Sequence, residues 1–149
     1  MRTVLITGAS GGLAQEMVKL LPDDQLILLG RDKEKLAQLY GNHPQAELVE
    51  MDITDAQALE DLVAELYQRY GKIDVLINNA GYGIFEDFDK ISNQDIHQMF
   101  EVNTFALMNL SRLVASRMKE IRKGHIINIV SMAGLIATGK SSLYSATKF

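Results

Sequence analysis

The chain has 149 residues, 47% of them hydrophobic, which suffices for one domain with its own core and is too short to suggest two. Its net charge is -4, with the 15 basic residues spread along the chain, so the electrostatic footprint of a nucleic-acid binder is absent. There is no cysteine, which excludes disulfides, thiolate metal sites and cysteine nucleophiles and suits a reducing cytoplasm.

The N-terminus, MRTVLITGAS, is apolar for only a few residues before turning glycine-rich, so it lacks the core of a signal peptide. No stretch reaches the roughly 18 apolar residues of a membrane helix, and a soluble cytoplasmic protein is expected. Short apolar runs recur at Thr3 to Thr7, Gln25 to Gly30, Ala46 to Met51, Asp74 to Asn78 and His125 to Val130. Their lengths and β-branched content predict strands buried on both faces, as in a parallel sheet. Helical patterns lie between them. Asp32 caps the helix beginning DKEKL, and LEDLVAELYQRY, from Leu59 to Tyr70, repeats its apolar positions at steps of three and four. The longest helical stretch runs from about Ser92, which with Asp95 resembles a helix-opening cap, to Arg122, and Gly124 stops it. The alternation predicts one α/β domain over residues 1–149, with right-handed crossovers and no internal repeat or linker.

TGASGGLA, Thr7 to Ala14, follows the first strand and opens the first helix. Glycines there let the backbone turn tightly and approach a pyrophosphate held at the helix N-terminus. The spacing resembles the cofactor loop of the short-chain dehydrogenase/reductase family, T-G-x-x-x-G-x-G. Gly8 and Gly12 match it, and Ala14 replaces the third glycine. The resemblance makes Thr7, Gly8, Ser10, Gly11, Gly12 and Leu13 candidate cofactor residues. After the second strand the chain reads LLGRDKEKL. Gly30 stands where NAD-preferring members carry an acid, and Arg31 follows, as in NADP-preferring members. NADP(H) is therefore favoured over NAD(H), with a solvated surface charge as the plain alternative for Arg31. MDITD adds Asp52 and Ile53, which the family pattern places against the adenine. NNAG contributes Asn79, Ala80 and Gly81 at the end of the fourth strand, the family's signature for the central sheet and cofactor wall.

Asn103 sits inside the long helical stretch among the apolar Val102, Phe105 and Leu107. If buried, it must either bond the local backbone or hold an ordered water. The resemblance assigns it a helix kink and a water-linked proton relay to the active-site lysine. Ser131 follows the fifth strand, and of five tyrosines only Tyr144 has a lysine, Lys148, four residues on. The resemblance makes Asn103, Ser131, Tyr144 and Lys148 the catalytic set, with Tyr144 and Lys148 also against the cofactor. Reduction of a carbonyl by hydride leaves an alkoxide to protonate, and a free phenol, with a pKa of about 10, donates slowly near neutrality unless its anion is stabilised. A lysine one helical turn away supplies a stabilising charge, and Ser131 would polarise the substrate oxygen. His43, His97 and His125 have neither metal-ligand spacing nor a motif that makes one a base for a serine nucleophile, and no metal site is expected.

The ordered series implies a doubly wound, Rossmann-like parallel sheet of strand order 3-2-1-4-5. It also implies a small-molecule carbonyl or alcohol substrate, a homo-oligomer and no membrane or nucleic-acid partner. The family continues for roughly a hundred residues beyond this point, so the chain is expected to lack the family's C-terminal strands. HIINIV would then be an apolar sheet edge, and the helix bearing Tyr144 would be too short to order firmly on its own. Two readings stand: an NAD(P)-dependent oxidoreductase with Tyr144 as general acid/base, or a dinucleotide-binding module without turnover. Phe85 and Phe88, in the stretch after NNAG, either touch substrate or pack locally.

Overall fold

A computed structural model describes all residues from Met1 to Phe149. Five strands form a single parallel sheet: β1 (Thr3–Ile6), β2 (Gln25–Gly30), β3 (Ala46–Glu50), β4 (Val75–Asn78) and β5 (His125–Asn128), in the order β3-β2-β1-β4-β5. This is the expected doubly wound order, with the chain reversing direction across the sheet between β1 and β4.

The period of two along each strand sends alternate side chains to opposite layers. Val4, Ile6, Leu26 and Leu28 pack against α1 (Gly12–Lys19) and α2 (Lys33–Tyr40). Leu5, Ile27, Leu29 and Leu76 pack against α3 (Ala56–Tyr70) and α5 (Ala106–Ile121). Each fully buried Leu or Ile contributes about 1.5–3 kcal/mol of hydrophobic free energy, so these two layers dominate the folding energy. No helix is long and apolar enough to cross a membrane.

The predicted caps form. Asp32 accepts from the Lys35 amide (2.8 Å), and Ser92 Oγ accepts from the Asp95 amide (3.0 Å) while donating to its carboxylate (2.6 Å). The long helical stretch is α4 (Asn93–Phe100), a π-turn over Glu101–Phe105, then α5. It ends at Arg122, before Gly124, as expected. Arg122, not Gly124, takes the left-handed cap at φ 52°, because the Lys123 amide turns back to the Met118 carbonyl (3.1 Å); Gly124 makes the second bend, packed against the Met118 side chain.

The expectation of strands buried on both faces holds for β1, β2 and β4 and fails at the edges. β3 is half-buried, and β5 leaves Ile127 45% exposed because no helix covers its α1-side face. The run to Val130 ends as a strand at Asn128, although the Ile129 amide still donates to Asn78 O (2.9 Å).

Two carboxylates hold the amino end of the sheet. Asp24 accepts from the Arg2 amide and guanidinium, and Asp74, 7% exposed, accepts from the Thr3 amide (2.9 Å) and from Lys72 (3.0 Å). The Arg2 hydrogen bond holds Asp24 below the usual carboxylate range. Burial alone would push Asp74 up, but the Thr3 amide and Lys72 outweigh it and hold Asp74 low as well. A depressed carboxyl pKa contributes stability that is complete above the unfolded value of about 3.9 and is lost as pH falls through the folded value. Denaturant unfolding should therefore show stability declining below about pH 4, with the decline shallower in Asp74→Asn, which also costs about 1–3 kcal/mol at neutral pH. An unchanged pH profile in Asp74→Asn would contradict this account.

Candidate functional site

The carboxyl ends of β1, β2, β3 and β4 open onto one cleft of about 360 Å³. Ligands of open α/β sheets bind where the strand order reverses, here between β1 and β4. The chain leaving β1 supplies Gly8, Ser10, Gly11, Gly12 and Leu13. The chain leaving β2 supplies Arg31, that leaving β3 Asp52 and Ile53, and that leaving β4 Asn79, Ala80 and Gly81. All the cofactor candidates from these four segments thus converge on the cleft, except Thr7.

Thr7 is buried and turned away from the opening. Its Oγ1 accepts from the amides of Asn79 (3.1 Å) and Ala80 (3.0 Å), while Asn79 Nδ2 donates to the Thr7 and Gly8 carbonyls. Thr7 therefore ties the glycine loop to the end of β4. Gly8 sits at φ 62°, and a Cβ there would lie 2.7 Å from Ala80 Cα, so both the turn and the close approach require glycine. A Cβ on Gly12 would meet nothing within 4 Å, which leaves that space to the cleft. The α1 N-terminus has Gly11 as its cap with no side-chain hydrogen bond, so its first amides are open to an anion. Ala14, the departure from the family loop, lies fully buried among Ile6, Val18 and Leu36, so its methyl is absorbed by the core rather than intruding on the cleft.

Arg31 is exposed at the rim and forms no ion pair. Asp52 accepts from the Thr54 amide (3.0 Å) and hydroxyl (2.8 Å), and these bonds, with a smaller contribution from the Arg31 charge, hold its carboxyl low. Asn78, the first residue of NNAG, ties β4 to β5 through Asn128 Oδ1 (2.8 Å) and to α5 through Ser111 Oγ (2.9 Å).

Asn103 is 2% exposed at the middle of the π-turn. Of the two expected arrangements it takes a backbone partner, though one distant in sequence. Its Oδ1 accepts from the Tyr82 amide (3.0 Å) and its Nδ2 donates to the Tyr82 carbonyl (2.8 Å). The expected kink is this π-turn, a widened turn frequent at functional sites.

Tyr144 and Lys148 lie one turn apart on α6 (Ser142–Lys148). Lys148 is half-buried, and burial lowers its pKa below the ordinary lysine value. Its Nζ donates to the Ile129 carbonyl (3.2 Å) and forms no ion pair. A Cβ on Gly81 would lie 3.1 Å from Lys148 Nζ and 3.2 Å from Asn103 Oδ1, so Gly81 joins the cleft to both groups. Ser131 caps the short turn Met132–Gly134, its Oγ accepting from the Ala133 amide (3.2 Å), and no hydrogen bond joins it to Tyr144. The Tyr144 ring meets Phe85 edge-on, with centroids 5.2 Å apart, and Gly83 is wedged beside both rings. Phe85 therefore packs against a residue far along the chain, although it stays as exposed as Phe88. The motifs did not point to Leu29, Met51, Tyr82 and Val102, which also line the cleft. Apolar residues after strands and beside Asn103 carry no signal that separates lining from core.

The short-chain dehydrogenase family model matches residues 2–149. The chain belongs to that family. Among curated relatives, it is 36% identical to the ketoacyl reductase HetN of Nostoc, with 99% of this chain and 53% of that protein covered. Among solved structures, a short-chain dehydrogenase from Streptomyces avermitilis superposes with a TM-score of 0.93 at 32% identity, covering 99% of this chain and 55% of that one. The closed form of a serine dehydrogenase complexed with NADP+ superposes with a TM-score of 0.92 at 32% identity, covering 98% and 60%. The chain thus spans about half the length of the curated family member quoted.

The glycines of this family loop make unequal demands. Gly8→Ala should lose about 2 kcal/mol or more, since it adds left-handed strain to a backbone overlap. Gly12→Ala should stay within about 0.5 kcal/mol of the unaltered chain. Thermal and denaturant unfolding of the two variants would show the difference; equal losses would sink the assignment.

Proposed function

We propose that this chain carries the cofactor and proton-transfer site of an NADP(H)-dependent oxidoreductase that interconverts a small-molecule carbonyl and alcohol. The observation that carries the reading is Gly81, which lines the cleft and where an added Cβ would lie 3.1 Å from Lys148 Nζ and 3.2 Å from Asn103 Oδ1, so the Tyr144–Lys148 helix abuts the opening. The ketoacyl reductase relative and the serine dehydrogenase complexed with NADP+ support the same chemistry.

The cleft fits a dinucleotide. Open amides at the start of α1, beside Gly11 and Gly12, would hold the pyrophosphate, Asp52 and Ile53 the adenine, and Asn79 to Gly81 the nicotinamide half. Arg31, unpaired at the rim of β2, would take the ribose 2'-phosphate, which favours NADP(H). When bound, the dinucleotide supplies the hydride.

The protein's part is to position and to move a proton. The Tyr144 hydroxyl makes no hydrogen bond within the chain, so it is free to donate to the oxygen of a carbonyl or accept from an alcohol. Lys148 supplies positive charge on the next turn, which favours the phenolate that donation leaves. Ser131 Oγ, held by the Ala133 amide, retains its own proton for the substrate oxygen.

Titration of the chain with NADPH and NADH, followed by nicotinamide fluorescence, should give saturable binding that favours NADPH. Arg31→Ala should weaken NADPH about tenfold while leaving NADH nearly unchanged. Equal losses for both would remove Arg31 as the 2'-phosphate group. Tyr144→Phe should keep cofactor binding and lower carbonyl reduction by about two to four orders of magnitude. Undiminished reduction in that variant would refute its role as acid.

A further inference from the structure

α6 has seven residues, too few to hold a helix in water unaided, yet it carries Tyr144 and Lys148. Side chains of the π-turn bond directly to it. Thr147 is 6% exposed. Its Oγ1 donates to the Tyr144 carbonyl (2.8 Å) and accepts from Asn103 Nδ2 (3.0 Å). One residue on from Asn103, Thr104 Oγ1 donates to the Thr147 carbonyl (3.0 Å). Both hydrogens of Asn103 Nδ2 are committed, one to Tyr82 O and one to Thr147. The Asn103 amide cannot be reversed, because its nitrogen would then face the Tyr82 amide. The hydroxyl of Thr147 is thus the link between a fixed amide and the turn that bears the tyrosine.

We propose that Thr147 is a positioning residue: its hydroxyl, bonded at once to Asn103 and to the Tyr144 carbonyl, locks the turn of α6 carrying Tyr144 and Lys148 against the π-turn, with Thr104 as the second anchor. The consequence for catalysis rests on the reading of Tyr144 and Lys148 given above, but the lock itself does not. A mere packing role would reside in the Thr147 methyl, and a lock resides in its oxygen. Valine keeps the shape and removes the oxygen, leaving Asn103 Nδ2 with an unpaired buried hydrogen; serine keeps the oxygen and removes the methyl.

The test uses the 149-residue chain with Thr147→Val, Thr147→Ser and Thr104→Val. Amide hydrogen exchange is read over Ser145 to Lys148, and the Lys148 ε-carbon resonance is followed against pH. Thr147→Val should lose about tenfold of the local protection, with β1 and β4 unchanged, since loss of a buried hydrogen-bond partner acts on this segment. Its Lys148 should titrate higher, toward the ordinary lysine value, as it leaves its half-buried place. Thr147→Ser should match the unaltered chain in both measurements, and Thr104→Val should show a smaller loss of protection. Wild-type exchange and titration in Thr147→Val would overturn the proposal, as would a serine variant that fails as valine does. Should Thr147→Val unfold globally, unchanged α6 exchange in Thr104→Val would overturn it instead. A parallel NADPH titration of the unaltered chain judges the functional reading separately, and its failure leaves the exchange data to decide on Thr147.

Discussion

The junction of β1 and β4 is where the backbone of one strand end approaches the other too closely for any side chain at Gly8, and the Thr7 hydroxyl accepts both amides at Asn79 and Ala80. Without that pairing the two central strands would end as independent loops over a polar opening. With it, the glycine loop, the start of α1 and the NNAG segment form one continuous wall. Partly buried amides are costly to leave unpaired, so the two bonds to Thr7 also explain why a buried threonine, rather than an apolar residue, follows β1.

From this wall the rest of the site follows by contact. Gly81 lacks the atom that would push Lys148 and Asn103 away, and Asn103 in turn grips the backbone of Tyr82 from both sides. A π-turn is less favourable than regular helix, and it persists where surrounding bonds over-determine it. Here the cyclic pair with Tyr82 and the bonds from Asn103 and Thr104 to Thr147 do so. The same network draws a cationic side chain partly out of water, with the Ile129 carbonyl as its hydrogen-bond acceptor.

Much of this was legible in the sequence. The caps at Asp32 and Ser92 follow from patterns with a local mechanical meaning, while the strand order and the convergence of Gly8, Ser10 to Leu13, Arg31, Asp52 and Asn79 to Gly81 on one cleft follow the family resemblance. Thr7 opens the motif, but the turn of its buried hydroxyl toward the end of β4 depends on that strand being in place. The left-handed conformation of Arg122 and the uncovered face of β5 depend on tertiary contacts in the same way. Whether a left-handed cap falls on an arginine or a glycine depends on the turn back to Met118, and whether a strand face is covered depends on which helices lie over it.

The sequence by itself determined the layered parallel sheet and the glycine turn, because hydrophobic period and glycine placement act over a few residues. Tertiary structure alone decided that Asn103 grips Tyr82, that Phe85 meets the Tyr144 ring, and that a seven-residue helix is held in place through Thr147. These are contacts between segments 21, 44 and 59 positions apart, and no local propensity encodes them. They exist only once the sheet brings the ends of β4 and β5 to one edge of the cleft, where hydrogen bonds between side chains can form out of water.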